Sequence, residues 1–66
     1  MVIKLNDKPY EVMEGMTLDR FIKDLNIPIQ GIAIAIDYEV VPKNVWNEMV
    51  LEDGMALLMI HAVSGG

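Results

Sequence analysis

The chain opens on an alternation. In Val2-Ile3-Lys4-Leu5, Ile3 and Leu5 fall on one side of an extended segment and Lys4 on the other, the period of two of a half-buried strand. Asn6-Asp7-Lys8-Pro9 interrupts it. Asn and Asp bond to their own neighbouring backbone and Pro fixes its own φ, so these four residues read as a turn. Alternation resumes from Tyr10 to Met13, with Tyr10 and Val12 on one face and Glu11 and Met13 on the other. A second strand pairing back as a hairpin is expected, closed by Glu14-Gly15.

The period then changes. Leu18, Phe21, Ile22 and Leu25 recur at i, i+3, i+4 and i+7, while Arg20, Lys23 and Asp24 fall off that stripe. This predicts an amphipathic helix over Leu18–Leu25. Thr17 stands at the N-cap position, and Asp19 in the first turn suits the positive end of the helix dipole. Asn26 suits the left-handed position after the helix, and Pro28 prevents its continuation.

Ile32-Ala33-Ile34-Ala35-Ile36 predicts a third strand with unlike faces, bulky on one side and low on the other. Asp37-Tyr38 predicts a tight turn and Glu39-Val40-Val41 a short fourth strand ended by Pro42. Asn44–Glu48 is expected to hold a helical turn with Trp46 tucked beneath it. After the turn at Asp53-Gly54, Met55 to Val63 predicts the last strand. The order ββαβββ gives a single α+β domain: a mixed sheet of about five strands with one main helix across one face.

Nothing in so short a chain is left to cover the other sheet face. Along the last strand Leu57 and Met59 share one side, Leu58 and Ile60 the other. We assign Leu57 and Met59 to the helix side, which leaves Leu58 and Ile60 on the open face near Ala33, Ala35 and Met13. A contiguous apolar patch of this kind marks an interaction surface. A register slip of one residue would exchange the faces, and small proteins leave some apolar atoms exposed in any case.

Composition narrows the chemistry. The 66 residues carry ten acids against five bases, a formal charge of −5, opposite in sign to a nucleic-acid-binding surface. There is no cysteine and one histidine, His61, so neither a disulfide framework nor a zinc cluster is expected. Ser64 is the only serine, and its separation from His61 does not assemble a catalytic triad. The acids show no metal-ligand spacing. No catalytic, cofactor-binding or metal-binding residue is assigned. No signal peptide and no membrane-length apolar run is read, so a cytoplasmic protein is expected.

The remaining reactive feature is the carboxylate that ends the sequence, on Gly65-Gly66. At average usage a Gly-Gly end arises by chance in roughly 0.5% of chains. Glycine nevertheless suits a chain that must thread a narrow channel and approach a nucleotide closely. Coupled to AMP, the carboxylate becomes a mixed anhydride that a sulfur or nitrogen nucleophile can open. The reading is a domain over 1–63 that presents a mobile tail, 64–66, and serves as a carrier rather than a catalyst.

The whole chain resembles the sulfur carrier family of thiamine biosynthesis (ThiS), a ubiquitin-like β-grasp family. The resemblance rests on Ile3-Lys4-Leu5-Asn6-Asp7, Gly15-Met16-Thr17-Leu18, Ala33-Ile34-Ala35-Ile36-Asp37, Val40-Val41-Pro42-Lys43 with Trp46, Asp53-Gly54, and the terminal Gly65-Gly66. Met55 and Asp37 depart from the family's commoner residues. The resemblance implies that an ATP-dependent, ubiquitin-activating-type adenylyltransferase adenylates Gly66. Sulfur from a cysteine desulfurase or another persulfide donor then gives a thiocarboxylate, and thiazole synthase uses it for the thiazole ring of thiamine. ATP would be used by the activating partner, with no cofactor held by the carrier. Gly65 would keep the tail passable, and Leu58, Ile60 and Ala62 are docking candidates by their position in the last strand. Relatives serving molybdopterin, tRNA thiolation or amino-acid synthesis share this chemistry. Protein conjugation through Gly66 and a non-covalent interaction module are the remaining alternatives.

Overall fold

The computed structural model describes residues 1–61. The strands are β1 (Val2–Leu5), β2 (Lys8–Glu11), β3 (Ile32–Ile36), β4 (Glu39–Val41) and β5 (Ala56–His61), and the helix α1 (Leu18–Asp24) lies between β2 and β3. They form one five-stranded sheet in the order β2-β1-β5-β3-β4. β1 and β5 are parallel, and the other pairs antiparallel. This mixed sheet with one helix is the expected β-grasp arrangement. The expected end of the last strand at Val63, the docking candidate Ala62 and the tail with Gly65 and Gly66 lie outside the described residues.

The first hairpin is tighter than expected. Asn6 and Asp7 both adopt positive φ, 51° and 67°, so two residues make the turn in the hand that matches strand twist. β2 therefore begins at Lys8, and Pro9 belongs to the strand rather than to the turn. Pro9 removes a donor, which an edge strand tolerates, and β2 is an edge. Val12 falls beyond the strand but is buried, its N–H donating to the Met1 carbonyl at 2.8 Å.

The second hairpin turns in the same hand at Asp37 and Tyr38, φ 53° and 66°. Tyr38 is 98% exposed. A bulky side chain with positive φ and almost no packing is a strained position. Tyr38→Gly should stabilise the fold by roughly 0.5–1 kcal/mol, raising Tm by a few degrees. Thermal melting by circular dichroism checks this, and an unchanged or lower Tm would show that the turn carries no strain.

Helix α1 places Leu18, Phe21 and Ile22 on the sheet as its stripe predicts. They meet Ile3 and Leu5 of β1, Ile32 and Ile34 of β3 and Leu57 of β5 in one core. Tyr10 closes the β2 side, its ring 5.6 Å from that of Phe21 and nearly perpendicular at 79°. Asn26, at φ 59°, takes the left-handed position expected of it.

Thr17 sits at the N-cap with extended backbone, but its side chain makes no cap bond. Its hydroxyl donates instead to Asp19 Oδ1 at 2.7 Å. The helix start is capped from across the molecule: the Leu18 N–H donates to the Met49 carbonyl (2.8 Å) and the Asp19 N–H to the Trp46 carbonyl (3.3 Å). Leu51 returns the contact, donating to the Met16 carbonyl at 2.8 Å. The helical turn expected near Asn44 is a 3-10 turn over Lys43–Val45. Beneath it Trp46 is 1% exposed, and its indole N–H donates to the Val41 carbonyl at 2.8 Å.

Candidate functional site

The strand that leads to the C-terminus is the central strand of the sheet, paired with β1 on one side and β3 on the other. Its two faces differ as the alternation predicts. Leu57 is buried and Met59 partly so, both packed in the core beneath the helix. Leu58 and Ile60 are 44% and 46% exposed. On β3 their direct partners are Ala35 and Ala33. The small alanines leave Leu58 and Ile60 standing proud, so the low side of β3 and the apolar side of β5 make one stepped surface.

That surface continues across β4. Val40 pairs with Ala35, shares its face, and is 60% exposed. On the far side Lys4 lies beside Ala56 in the parallel β1–β5 pair, with the exposed Val2 on the same face of β1. A shallow depression of about 310 Å³ runs over Ala35, Ala56 and Leu58, between the Asn6-Asp7 and Asp37-Tyr38 turns. Its walls thus carry two aspartates and an exposed tyrosine around an apolar floor, the pattern of an interface core with a polar rim. Met13, which the sequence reading set near this patch, lies beyond the end of β2, with β1 between that strand and β5. It is exposed but belongs to the other margin.

Two features of the site were not legible as site residues. Val40 reads in sequence as an ordinary strand residue; only the β3–β4 register sets it beside Ala35. Asn6 reads as a turn former, yet its side chain also grips β5. Its Oδ1 accepts from the Met59 N–H at 2.8 Å, and its Nδ2 donates to the Met59 carbonyl at 3.4 Å. A strand followed by a two-residue turn was the available signal, but the partner is 53 residues away.

The polar depression at the start of α1 is a different kind of place. Asp19, Lys23, Arg20 and Asp24 line it and pair with one another along the helix, Lys23 with Asp19 at 3.7 Å and Arg20 with Asp24 at 3.2 Å. The Thr17 hydroxyl, with Lys23 adding attraction, holds the Asp19 carboxyl below its ordinary value. These charges satisfy each other in solvent, as on a solvated helix face. His61 pairs with Ile32 at the end of the described strand and is exposed. Among the described residues no group of three or more His, Cys, Asp or Glu could hold a metal ion.

No helix among the described residues is long and apolar enough to cross a membrane. The arrangement supplies an exposed apolar surface on the central strand and no assembled catalytic group among the described residues.

Comparison with known proteins agrees with this architecture. Sulfur carrier protein ThiS of Escherichia coli (strain K12) is 29% identical over 66 residues, covering all of both chains. The crystal structure of a thiamine biosynthesis protein (ThiS) from Geobacter metallireducens superposes with a TM-score of 0.85 at 20% identity, again over all of both chains. An NMR structure of a thiamine biosynthesis protein from the same organism gives a TM-score of 0.75 at 20% identity, over all of this chain and 88% of that one. At that identity the two structures speak for the ubiquitin-like β-grasp fold. The sequence model of the ThiS family matches residues 3–66, through the terminal glycine pair and almost from end to end, and the chain belongs to the ThiS family.

Proposed function

We propose that this protein is a sulfur carrier for thiamine biosynthesis and that Gly66 is the residue modified. The observation that carries the reading is the family match, which extends to Gly66. A partner enzyme of the ubiquitin-activating type binds the carrier and ATP. The Gly66 carboxylate attacks the α-phosphorus of ATP, pyrophosphate leaves, and an acyl adenylate forms. The outer sulfur of a protein persulfide, loaded by a cysteine desulfurase or other persulfide donor, attacks the carbonyl and expels AMP, giving an acyl disulfide between carrier and donor. A thiol then attacks the donor's sulfur of that disulfide, which releases the carrier as a thiocarboxylate and leaves a disulfide for a thiol reductant to reduce. Thiazole synthase then takes that sulfur into the thiazole ring. Gly65 keeps the chain next to the reacting carbonyl free of a side chain. The carrier itself contributes a carboxylate and a docking surface, with all of the steps occurring in the cytosol.

Intact-mass spectrometry tests the proposal. Incubation with the activating enzyme, ATP and a sulfur donor is expected to add the mass of one oxygen-to-sulfur exchange, located at Gly66 by fragmentation. An unchanged mass under conditions that load a known carrier would overturn it. The open face gives a second expectation. Leu58 and Ile60 are anchors for the partner by position and exposure, and buried apolar anchors carry on the order of 1–2 kcal/mol each in an interface. Replacing both by Glu should raise the KM for the carrier in adenylation by about tenfold or more. An unchanged KM would move docking to another face.

A further inference from the structure

The deepest unused feature of the structure is the grip of Asn6 on the last strand. β1 and β5 run parallel, with Lys4 opposite Ala56 and Leu5 opposite Leu57. The Lys4 N–H donates to the Met55 carbonyl and the Asn6 N–H to the Leu57 carbonyl, each at 2.9 Å. In a regular parallel ladder the next two bonds would join Met59 to further residues of β1. The chain cannot supply them, because Asn6 and Asp7 turn back into β2 with positive φ. The Asn6 carboxamide supplies both instead: Oδ1 accepts from the Met59 N–H at 2.8 Å, and Nδ2 donates to the Met59 carbonyl at 3.4 Å. One side chain thus continues a ladder that the backbone has left.

We infer that Asn6 is a positioning residue for the reaction at Gly66. The inference rests on the sulfur-carrier reading. Met59 lies seven residues before Gly66 (66 − 59). Without the carboxamide, β5 past Leu57 is held in the sheet by β3 alone, through Ala35, Ile34, Ala33 and Ile32. The described strand continues through Ile60 and His61, paired with Ala33 and Ile32 of β3. A change in the direction of β5 shifts the point from which the rest of the chain must reach the nucleotide. Adenylation requires the carboxylate oxygen close to phosphorus and aligned with it, where errors near 1 Å cost up to about 100-fold in rate. Asn6 touches no reacting atom. It acts by fixing the direction in which β5 leaves the sheet, while Leu58 and Ile60 remain free to dock.

Asn6→Gly isolates this role. Glycine adopts the positive φ of the turn without strain, so the hairpin is kept and only the two side-chain bonds are lost. Two measurements are made on the full chain, below its melting transition. Hydrogen exchange at the Met59 amide should accelerate by about tenfold, while exchange at Ile34 and Leu57 changes little. In adenylation followed by ATP-dependent pyrophosphate exchange, kcat should fall by about tenfold and the KM for the carrier should stay within about twofold. Asn6→Asp retains the acceptor for the Met59 N–H but opposes a carboxylate oxygen to the Met59 carbonyl, and should fall between wild type and Asn6→Gly. Retained protection at Met59 in Asn6→Gly would overturn the grip. Lost protection with unchanged kcat, or with a rise confined to KM, would overturn the positioning role. If wild type itself is not adenylated, the sulfur-carrier reading falls, and Met59 exchange still reports whether the grip exists.

Discussion

A chain ending at Gly65 is expected to take up no sulfur while melting at the temperature of the full chain. Removing Gly66 draws the carboxylate back by one residue, at most about 3.5 Å of chain. A group displaced that far from a fixed nucleotide loses the near-attack geometry on which acyl adenylation depends, and a loss of at least about 100-fold follows. The core is untouched, since the buried residues described above run from Ile3 to Leu57. Intact mass after incubation with activating enzyme, ATP and sulfur donor measures the first part, and a thermal melt the second. Efficient loading of the truncated chain would show that the active site follows the end of the chain wherever it falls, and that Gly66 has no special place.

The largest effect on stability is expected from Trp46→Ala. Trp46 is 1% exposed and among the largest fully buried side chains described. Its removal costs roughly 3–5 kcal/mol in lost burial and cavity, and it strands the Val41 carbonyl, which now accepts from the indole N–H. A domain of this size has a total stability of roughly 3–10 kcal/mol. The substitution therefore consumes about a third of it or more. The same segment also caps α1 through the Trp46 and Met49 carbonyls, so loosening it exposes the Leu18 and Asp19 amides. Urea denaturation measures the change. A loss below about 1.5 kcal/mol would mean that the site collapses around the gap and that Trp46 is not a keystone of the core. Trp46→Phe, which keeps much of the ring volume but not the donor, should cost less, about 1–2 kcal/mol.

Local pattern carried a good deal of this fold. β3 and β4 fall where the alternation and the Asp37-Tyr38 turn put them. Helix α1 starts at Leu18 and stops one residue short of the expected Leu25, which serves as its C-cap. These elements are bounded by residues whose own backbone preferences act over one turn, and such preferences are readable without a partner. The exposed side of β5 was also legible, because alternation fixes which residues travel together and the helix can cover only one set. Where the reading missed, a distant group had taken over a local task. Thr17 has the chemistry of a cap, but the Met49 and Trp46 carbonyls reach the helix start first. The turn preferences of Asn6, Asp7 and Pro9 predict a four-residue turn before β2, yet pairing with Leu5 and Lys4 draws Lys8 and Pro9 into the sheet.

By itself the sequence determined the number and kind of elements, the helix stripe, the unlike faces of β3 and β5, and the terminal glycine pair with its family resemblance. Each of these depends on residue identity and near-neighbour spacing alone. Strand order was decided only in three dimensions. The parallel pairing of β1 with β5 places the strand that leads to Gly66 at the centre of the sheet, and no periodicity encodes which strands meet. The same closure brought Val40 beside Ala35, set two turns around the apolar floor, and laid Asn6 against Met59. Hydrogen bonds between residues tens of positions apart form once the chain has folded around a common core, so the grip of Asn6 on the last strand is a property of the tertiary structure.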